Sequence, residues 1–212
     1  MEDETVDWLA WHSPYSDPNS ALSRRLEIVQ TQIRWRLLEA QEAPIQVISL
    51  CAGQGRDLLD VLESLPASRD INALLIENDA RNVKVASDRI RQLGLANVDI
   101  RCADAGNSNS YAGATPADLV LLCGVFGNIS DEDIFKTIAY LPHLCARDAT
   151  VIWTRSRRAP DITPRLRAAF ESHEFRELAF IAPERDLFSV GVHRFSGRSA
   201  QLTAGEQLFT FL

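Results

Sequence analysis

The stretch that most constrains this chain is Pro44 to Asp60, PIQVISLCAGQGRDLLD, where an apolar run meets two glycines and passes at once into a helical pattern. Ile45, Val47, Ile48 and Leu50 are rich in β-branched side chains, as a strand covered on both faces of a sheet requires. Gly53 and Gly55 follow at GxG spacing. Lacking a Cβ, they allow a tight reversal and let a ligand approach the backbone closely. A helix opening near Gly55 points its free N–H groups at that ligand. The stretch therefore predicts a strand of an α/β sheet with a nucleotide-type cofactor at its carboxyl end.

The rest of the chain supplies the sheet. Ala73 to Ile76, Val98 to Cys102, Ala117 to Cys123 and Thr150 to Thr154 are further short apolar runs. Helical patterns separate most of them. One runs from Arg56 to Leu65, and a second is capped by Asp79 and stopped by Gly94. A third follows the capping box that begins at Ser130. This alternation predicts βαβ units and a mainly parallel sheet with helices on both faces. After a helix over 162–172, the runs Glu174 to Ile181 and Leu187 to Phe195 are joined by five residues only. That connection is too short for a crossover, so the last two strands pair antiparallel.

Upstream, Leu22, Leu26, Val29, Ile33 and Leu37 mark one face of a helix that the spacing starts at Pro18, with Asp17 as its N-cap. Before it, Trp8, Trp11, His12 and Tyr15 crowd an irregular segment. Such a segment packs on something, either as a lid over a binding site or as an apolar plug on the sheet. Residues 1–43 are read as a cover belonging to the same domain, 44–200 as the main domain and 201–212 as a C-terminal tail.

Composition narrows the function classes. A chain of 212 residues, 46% hydrophobic, suits one substantial core. A net charge of -7 argues against nucleic acid as a partner, which needs a clustered basic surface. The acidic start has no signal-peptide core and no window approaches a membrane span, so a cytoplasmic protein without membrane contact is expected. Cys51, Cys102, Cys123 and Cys145 form no CxxC pair, and neither a metal site nor a disulfide framework is expected.

Two cofactor classes use a strand, a GxG turn and a helix. A dinucleotide site wants a third glycine where this chain has Leu58. Glu77 ends the second strand, 22 residues after Gly55, where a carboxylate can receive both hydroxyls of a ribose. Asp104 closes the third strand, in position for an adenine amino group. Gly124 follows the fourth, beside the first across the point where strand order reverses. The bland alternative is a simple turn flanked by solvated carboxylates.

With VISLCAGQGRDLL, LLIENDARN, RCADAG and ADLVLLCGVFGNIS, the chain resembles the class I S-adenosylmethionine (AdoMet) dependent methyltransferases over about residues 45–195. The resemblance implies a Rossmann-like, seven-stranded, mainly parallel sheet with an antiparallel last strand. It implies AdoMet as methyl donor, leaving S-adenosylhomocysteine as product. Gly53 and Gly55, with Cys51 and Ala52, would lie against the methionine portion. Glu77 and Asn78 would hold the ribose, Asp104 and Ala105 would bound the adenine, and Cys123 and Gly124 would face the reacting methyl. Ser49 and Cys51 stand where the family most often has an acidic residue and a glycine. The cofactor amino group must then find backbone carbonyls, water or Asp57.

The acceptor is expected to be a small molecule or metabolite, because the loop GVFGN lacks the Asn/Asp-Pro-Pro-aromatic pattern of nucleobase and glutamine methyltransferases. Tyr15, Phe126, Asn128 and Arg155 are the candidate acceptor residues. Arg155, with Arg157 and Arg158, suits a carboxylate or phosphate, or belongs to a solvated turn. His12 and His193 are the candidate general bases. Two further readings stay open: an AdoMet-binding regulator or partner subunit without transfer, and an NAD-dependent oxidoreductase, which Leu58 and the antiparallel ending disfavour.

Overall fold

A computed structural model describes residues 7, 10–40, 44–66 and 70–212, with the side chains of residues 10–12 excepted. Trp8 lies outside the described residues, as do the side chains of Trp11 and His12.

Seven strands form one sheet in the order β3-β2-β1-β4-β5-β7-β6. They are β1 (Ile45–Leu50), β2 (Ile71–Glu77), β3 (Val98–Cys102), β4 (Ala117–Leu122), β5 (Cys145–Ser156), β6 (Phe175–Ile181) and β7 (Phe188–Phe195). β7 runs antiparallel to both its neighbours, and every other pairing is parallel. The expected fold class is therefore the observed one. Strand order reverses between β1 and β4, which opens a crevice beyond their carboxyl ends.

The helices are α1 (Ala21–Glu39), α2 (Arg56–Ser64), α3 (Ala80–Gln92), α4 (Asp131–Tyr140) and α5 (Thr163–Ser172). Alternation along the strands divides the core in two. Val47, Leu75, Leu119, Leu121 and Ile152 face α1 and α2 through Val29, Ile33, Leu37, Leu58 and Leu59. Ile48, Leu50, Ile76, Val120, Leu122 and Trp153 face α4 and α5 through Ile134, Ile138, Leu166 and Phe170. Covering both faces removes the sheet from water, which accounts for the continuous apolar strands. No helix among the described residues is long and apolar enough to cross a membrane.

Three expectations need correction. α1 begins at Ala21 rather than Pro18, because Ser20 Oγ accepts the Ser23 amide at 3.0 Å while Asp17 turns back to the Asn19 amide. β5 extends beyond Thr150–Thr154 at both ends, its polar start at Arg147 and Asp148 having concealed it. Residues 201–212 do more than trail. Asn107 and Gln207 form one bridge, Ile129 and Phe211 a second, and Leu208 and Phe209 are buried against the α4 and α5 face. The first turn of α1 is fastened to the β6–β7 connection, where Arg24 forks onto the buried carboxylate of Asp186.

Candidate functional site

The carboxyl ends of β1 to β4 surround a cavity of about 340 Å³. Its floor is the turn after β1. Gly53 and Gly55 both take left-handed backbone angles, φ 55 and 73, which a side chain would strain. Their amides are already used: Gly53 N–H donates to Glu77 Oε2 at 2.7 Å, and Gly55 N–H to the Ala52 carbonyl at 2.8 Å. Cys51, Ala52 and Gly53 line the cavity, whereas Gly55 does not. A Cβ on Gly55 would meet Leu59 at 2.7 Å and Leu75 at 2.9 Å, so that glycine serves the packing of α2 on the sheet.

Glu77 is buried at the end of β2, and its second oxygen accepts the Asp79 amide at 2.8 Å. Two backbone donors hold the carboxylate in one orientation and leave acceptor capacity facing the cavity. Asn78 and Asp79 continue the wall, and Asp79 also caps α3. Its carboxyl is held down at about 2 mainly by the hydrogen bonds from Arg81. Asp104, past the end of β3, accepts the Gly106 amide at 2.7 Å on one oxygen and Gln207 Nε2 at 3.1 Å on the other. Asp104 and Ala105 both line the cavity, as do Cys123 and Gly124 beyond β4. The Gly124 amide donates to Thr154 Oγ1 at 2.8 Å, which ties the loop after β4 to the end of β5.

Tyr15, Arg25, Gln54, Arg56, Asp57, Asn82, Asn128 and Phe211 complete the lining. Arg25 donates to the Tyr15 hydroxyl at 3.0 Å, and the Arg56 guanidinium lies 5.6 Å from the Tyr15 ring centre. Burial pushes the Tyr15 phenol up to about 12, so it stays protonated at neutral pH. Burial likewise raises the thiols of Cys51 and Cys123, which remain uncharged. The lining side chains carry four carboxylates (Asp57, Glu77, Asp79 and Asp104) against two guanidiniums (Arg25 and Arg56). With Asp79 paired to Arg81 at 2.6 Å, three carboxylates remain against the two guanidiniums, and the cavity keeps a small negative charge. Among the described residues no group of three His, Cys, Asp or Glu side chains is arranged to hold a metal ion.

Several sequence-based candidates lie elsewhere. His193 is 1% exposed in the middle of β7, opposite Val151, stacked on Phe170 and accepting the Trp153 indole N–H at 3.2 Å. It does not reach the cavity, so the candidate base is a core residue. The side chain of His12, the other candidate base, lies outside the described residues. Phe126 is wholly buried against the stacked pair of Trp153 and Phe170. Arg155 turns inward to the Phe126 carbonyl, with Asp131 at 3.8 Å, and so fastens the loop after β4. Arg157 closes the β6–β7 connection through the carbonyls of Pro183 and Asp186 at 2.8 and 2.7 Å. Of the four acceptor candidates, Tyr15 and Asn128 line the cavity. Arg25 and Phe211 carry no sequence signal, since each reads as an ordinary helix or tail residue, and Asn82 ends the stretch LLIENDARN without standing out in it.

A family described as "Putative methyltransferase" matches residues 22–174. No curated protein matches the sequence. Among solved structures, an O-methyltransferase family protein from Burkholderia thailandensis superimposes on 90% of this chain with TM-score 0.69 and 14% identity. This chain spans 60% of that protein's length. Magnesium protoporphyrin IX methyltransferase (ChlM) from Synechocystis PCC 6803, with bound SAM, gives TM-score 0.67 at 13% identity over 91% of this chain and 92% of its own. An rRNA methylase from Streptococcus thermophilus gives 0.60 at 12% identity over 78% and 95%. At these identities the likeness is one of fold.

Proposed function

The chain belongs to this methyltransferase family, and on that premise we propose that it transfers the methyl group of AdoMet to a small-molecule acceptor. One observation carries the cofactor reading: the amides of Gly53 and Gly55 are committed to Glu77 and Ala52. They are not free for a pyrophosphate, whose binding depends on such amides. The excess of carboxylates in the cavity acts in the same direction, since it repels a dianion and attracts a sulfonium cation.

The residues fit AdoMet. Cys51, Ala52 and Gly53 would flank its methionine chain, Glu77 and Asn78 its ribose, and Asp104 and Ala105 its adenine. Asp57, at the first turn of α2, lines the cavity and would meet the amino group, the task that Ser49 and Cys51 leave open. When bound, the cofactor supplies an electrophilic methyl group open to in-line displacement.

The chain's own part is to position the acceptor and keep water out. Tyr15, Asn128 and Phe211 line the same cavity as Cys123, Gly124 and the glycine turn, and would wall the space left for the acceptor. Tyr15 offers a proton rather than removing one, and the neutral thiols do not compete as nucleophiles. A small acceptor is supported by the walls that Tyr15 and Phe211 add to the cavity, and by the acidic charge of the chain.

Calorimetric titration with S-adenosylhomocysteine, AdoMet and NADH tests the cofactor. The sulfur nucleosides should bind and NADH should not; the reverse order would overturn the reading. Transfer of labelled methyl into a metabolite extract, compared with total RNA, tests the acceptor class.

A further inference from the structure

The described residues that line the cavity include no histidine and no lysine, and its four carboxylates are all engaged. Glu77 holds the amides of Gly53 and Asp79, and Asp79 is bound to Arg81. Asp104 holds the Gly106 amide and Gln207, and Asp57 is hydrogen-bonded to the Cys123 thiol. An alcohol, phenol or ammonium acceptor has to lose a proton before it attacks, and none of these groups stands free as a base. An acceptor that arrives as an anion needs none. The charges are also unevenly placed. Glu77, Asp79 and Asp104 belong to the ends of β2 and β3, whereas both guanidiniums gather at Tyr15. Arg25 Nη2 donates to the Tyr15 hydroxyl at 3.0 Å, and Arg56 lies 5.6 Å from its ring centre. Of the lining carboxylates only Asp57 bears on Tyr15, so two guanidiniums stand there against one negative charge. Arg56 spends Nε and Nη2 on a single acceptor, Gln54 Oε1, at 3.1 Å each, and keeps the donors of Nη1.

We propose that the acceptor is a small carboxylic acid, held by Arg25, Arg56 and Tyr15 and converted to its methyl ester. The inference rests on the reading of the cavity as an AdoMet site. A carboxylate is ionised at neutral pH and so brings its own nucleophile. Guanidinium and phenol donors hold one of its oxygens and leave the other to attack. That oxygen forms the new C–O bond as the methyl C–S bond breaks. The electron pair returns to the sulfonium sulfur, and no proton is released. An amine, charged at neutral pH, would meet two like charges at the same place. Cys123 joins this cluster to the methyl end of the cavity: its thiol is hydrogen-bonded to Asp57 and lies near Tyr15, and it is the residue that would face the reacting methyl.

The experiment supplies methyl-labelled AdoMet with a small-metabolite extract, and with the same extract after its carboxyl groups have been capped as methylamides. Label should enter the untreated extract in a form that alkali releases as volatile methanol, as methyl esters do and methyl ethers and methylamines do not. The capped extract should take up almost none. Arg25→Gln and Arg56→Gln should each raise the extract concentration that gives half-maximal transfer by about tenfold, since each removes charged hydrogen-bond donors. Calorimetric affinity of both variants for S-adenosylhomocysteine should match wild type. Arg56 is exposed, so its variant keeps the test open even where Arg25→Gln disturbs the fold. Alkali-stable label, or equal uptake by the capped extract, would overturn the inference and leave methyl transfer standing. Loss of S-adenosylhomocysteine affinity in both variants would overturn it too, because it assigns the guanidiniums to the carboxylate of the cofactor itself. So would a wild type that binds S-adenosylhomocysteine and labels neither extract. A wild type that binds neither AdoMet nor S-adenosylhomocysteine removes the cofactor reading and this inference with it.

Discussion

Gly53 gives its amide hydrogen to Glu77 Oε2 over 2.7 Å, from the turn after β1 to the end of β2. The same carboxylate receives the Asp79 amide at 2.8 Å, where the chain enters α3. One buried side chain therefore fixes the backbone of two site loops before any ligand is present. Glu77→Ala leaves both donors without an acceptor and should lower stability by about 1–3 kcal/mol. Affinity for S-adenosylhomocysteine should fall by about tenfold or more in the same variant. Thermal melts and calorimetry read the two effects separately. An unchanged melting temperature would mean that the turn holds its shape without Glu77.

Gly55 and Gly124 both have positive φ, 73 and 84, yet their surroundings differ. A Cβ at Gly55 comes within 3 Å of Leu59 and Leu75, whereas at Gly124 it meets nothing within 4 Å. Gly55→Ala should cost about 2–4 kcal/mol, combining backbone strain with overpacking. Gly124→Ala should cost about 1–2 kcal/mol from strain alone. Urea denaturation orders the pair. Equal losses would show that the leucines yield to the added methyl.

The C-terminal segment joins two site loops. Leu208 N–H donates to Gly106, Leu212 N–H donates to Asn128, and Gln207 reaches Asp104. Deleting residues 207–212 removes Leu208 and Phe209, each 1% exposed, and should cost several kcal/mol. Phe211→Ala is the finer probe, since that ring is 36% exposed and lines the cavity. It should change stability by less than about 1 kcal/mol while weakening ligand binding or acceptor turnover. A fall in melting temperature without a change in affinity would reassign Phe211 to the core.

Most of the sheet was legible because buried parallel strands are written as short apolar runs punctuated by Gly, Asp and Asn. Glu77 and Asp104 could be placed because each is the first acidic residue beyond such a run. Residues 201–212 were not legible, since their partners are loop backbone atoms and two isolated bridges that leave no period in the sequence. His193 was misread for a related reason. A histidine in an alternating strand shows which residues share its face, but not that Trp153 and Phe170 close over that face.

Burial lowers His193 from its ordinary value of 6.5 to about 4, partly offset by Glu177 3.6 Å from Nε2, with Arg167 adding to the depression. The folded chain therefore keeps the ring neutral while the unfolded chain takes a proton near the ordinary value. Stability from this group is complete above about pH 6.5 and is lost as pH falls toward 4. At about 1.4 kcal/mol per pH unit, the window is worth up to about 3 kcal/mol. His193→Phe removes the titrating group and keeps a ring against Phe170, but leaves the Trp153 N–H without an acceptor. It should cost about 1 kcal/mol at pH 7.5 and flatten the stability profile between pH 6.5 and 4. Denaturant titrations at pH 7.5, 5.5 and 4.5 provide the readout. Affinity for S-adenosylhomocysteine should not change, because His193 lies outside the cavity. If the acid slope persisted in the variant, its source would be the carboxylates, and if methyl transfer disappeared with folding intact, His193 would have a part in the reaction that its position beneath α5 does not provide.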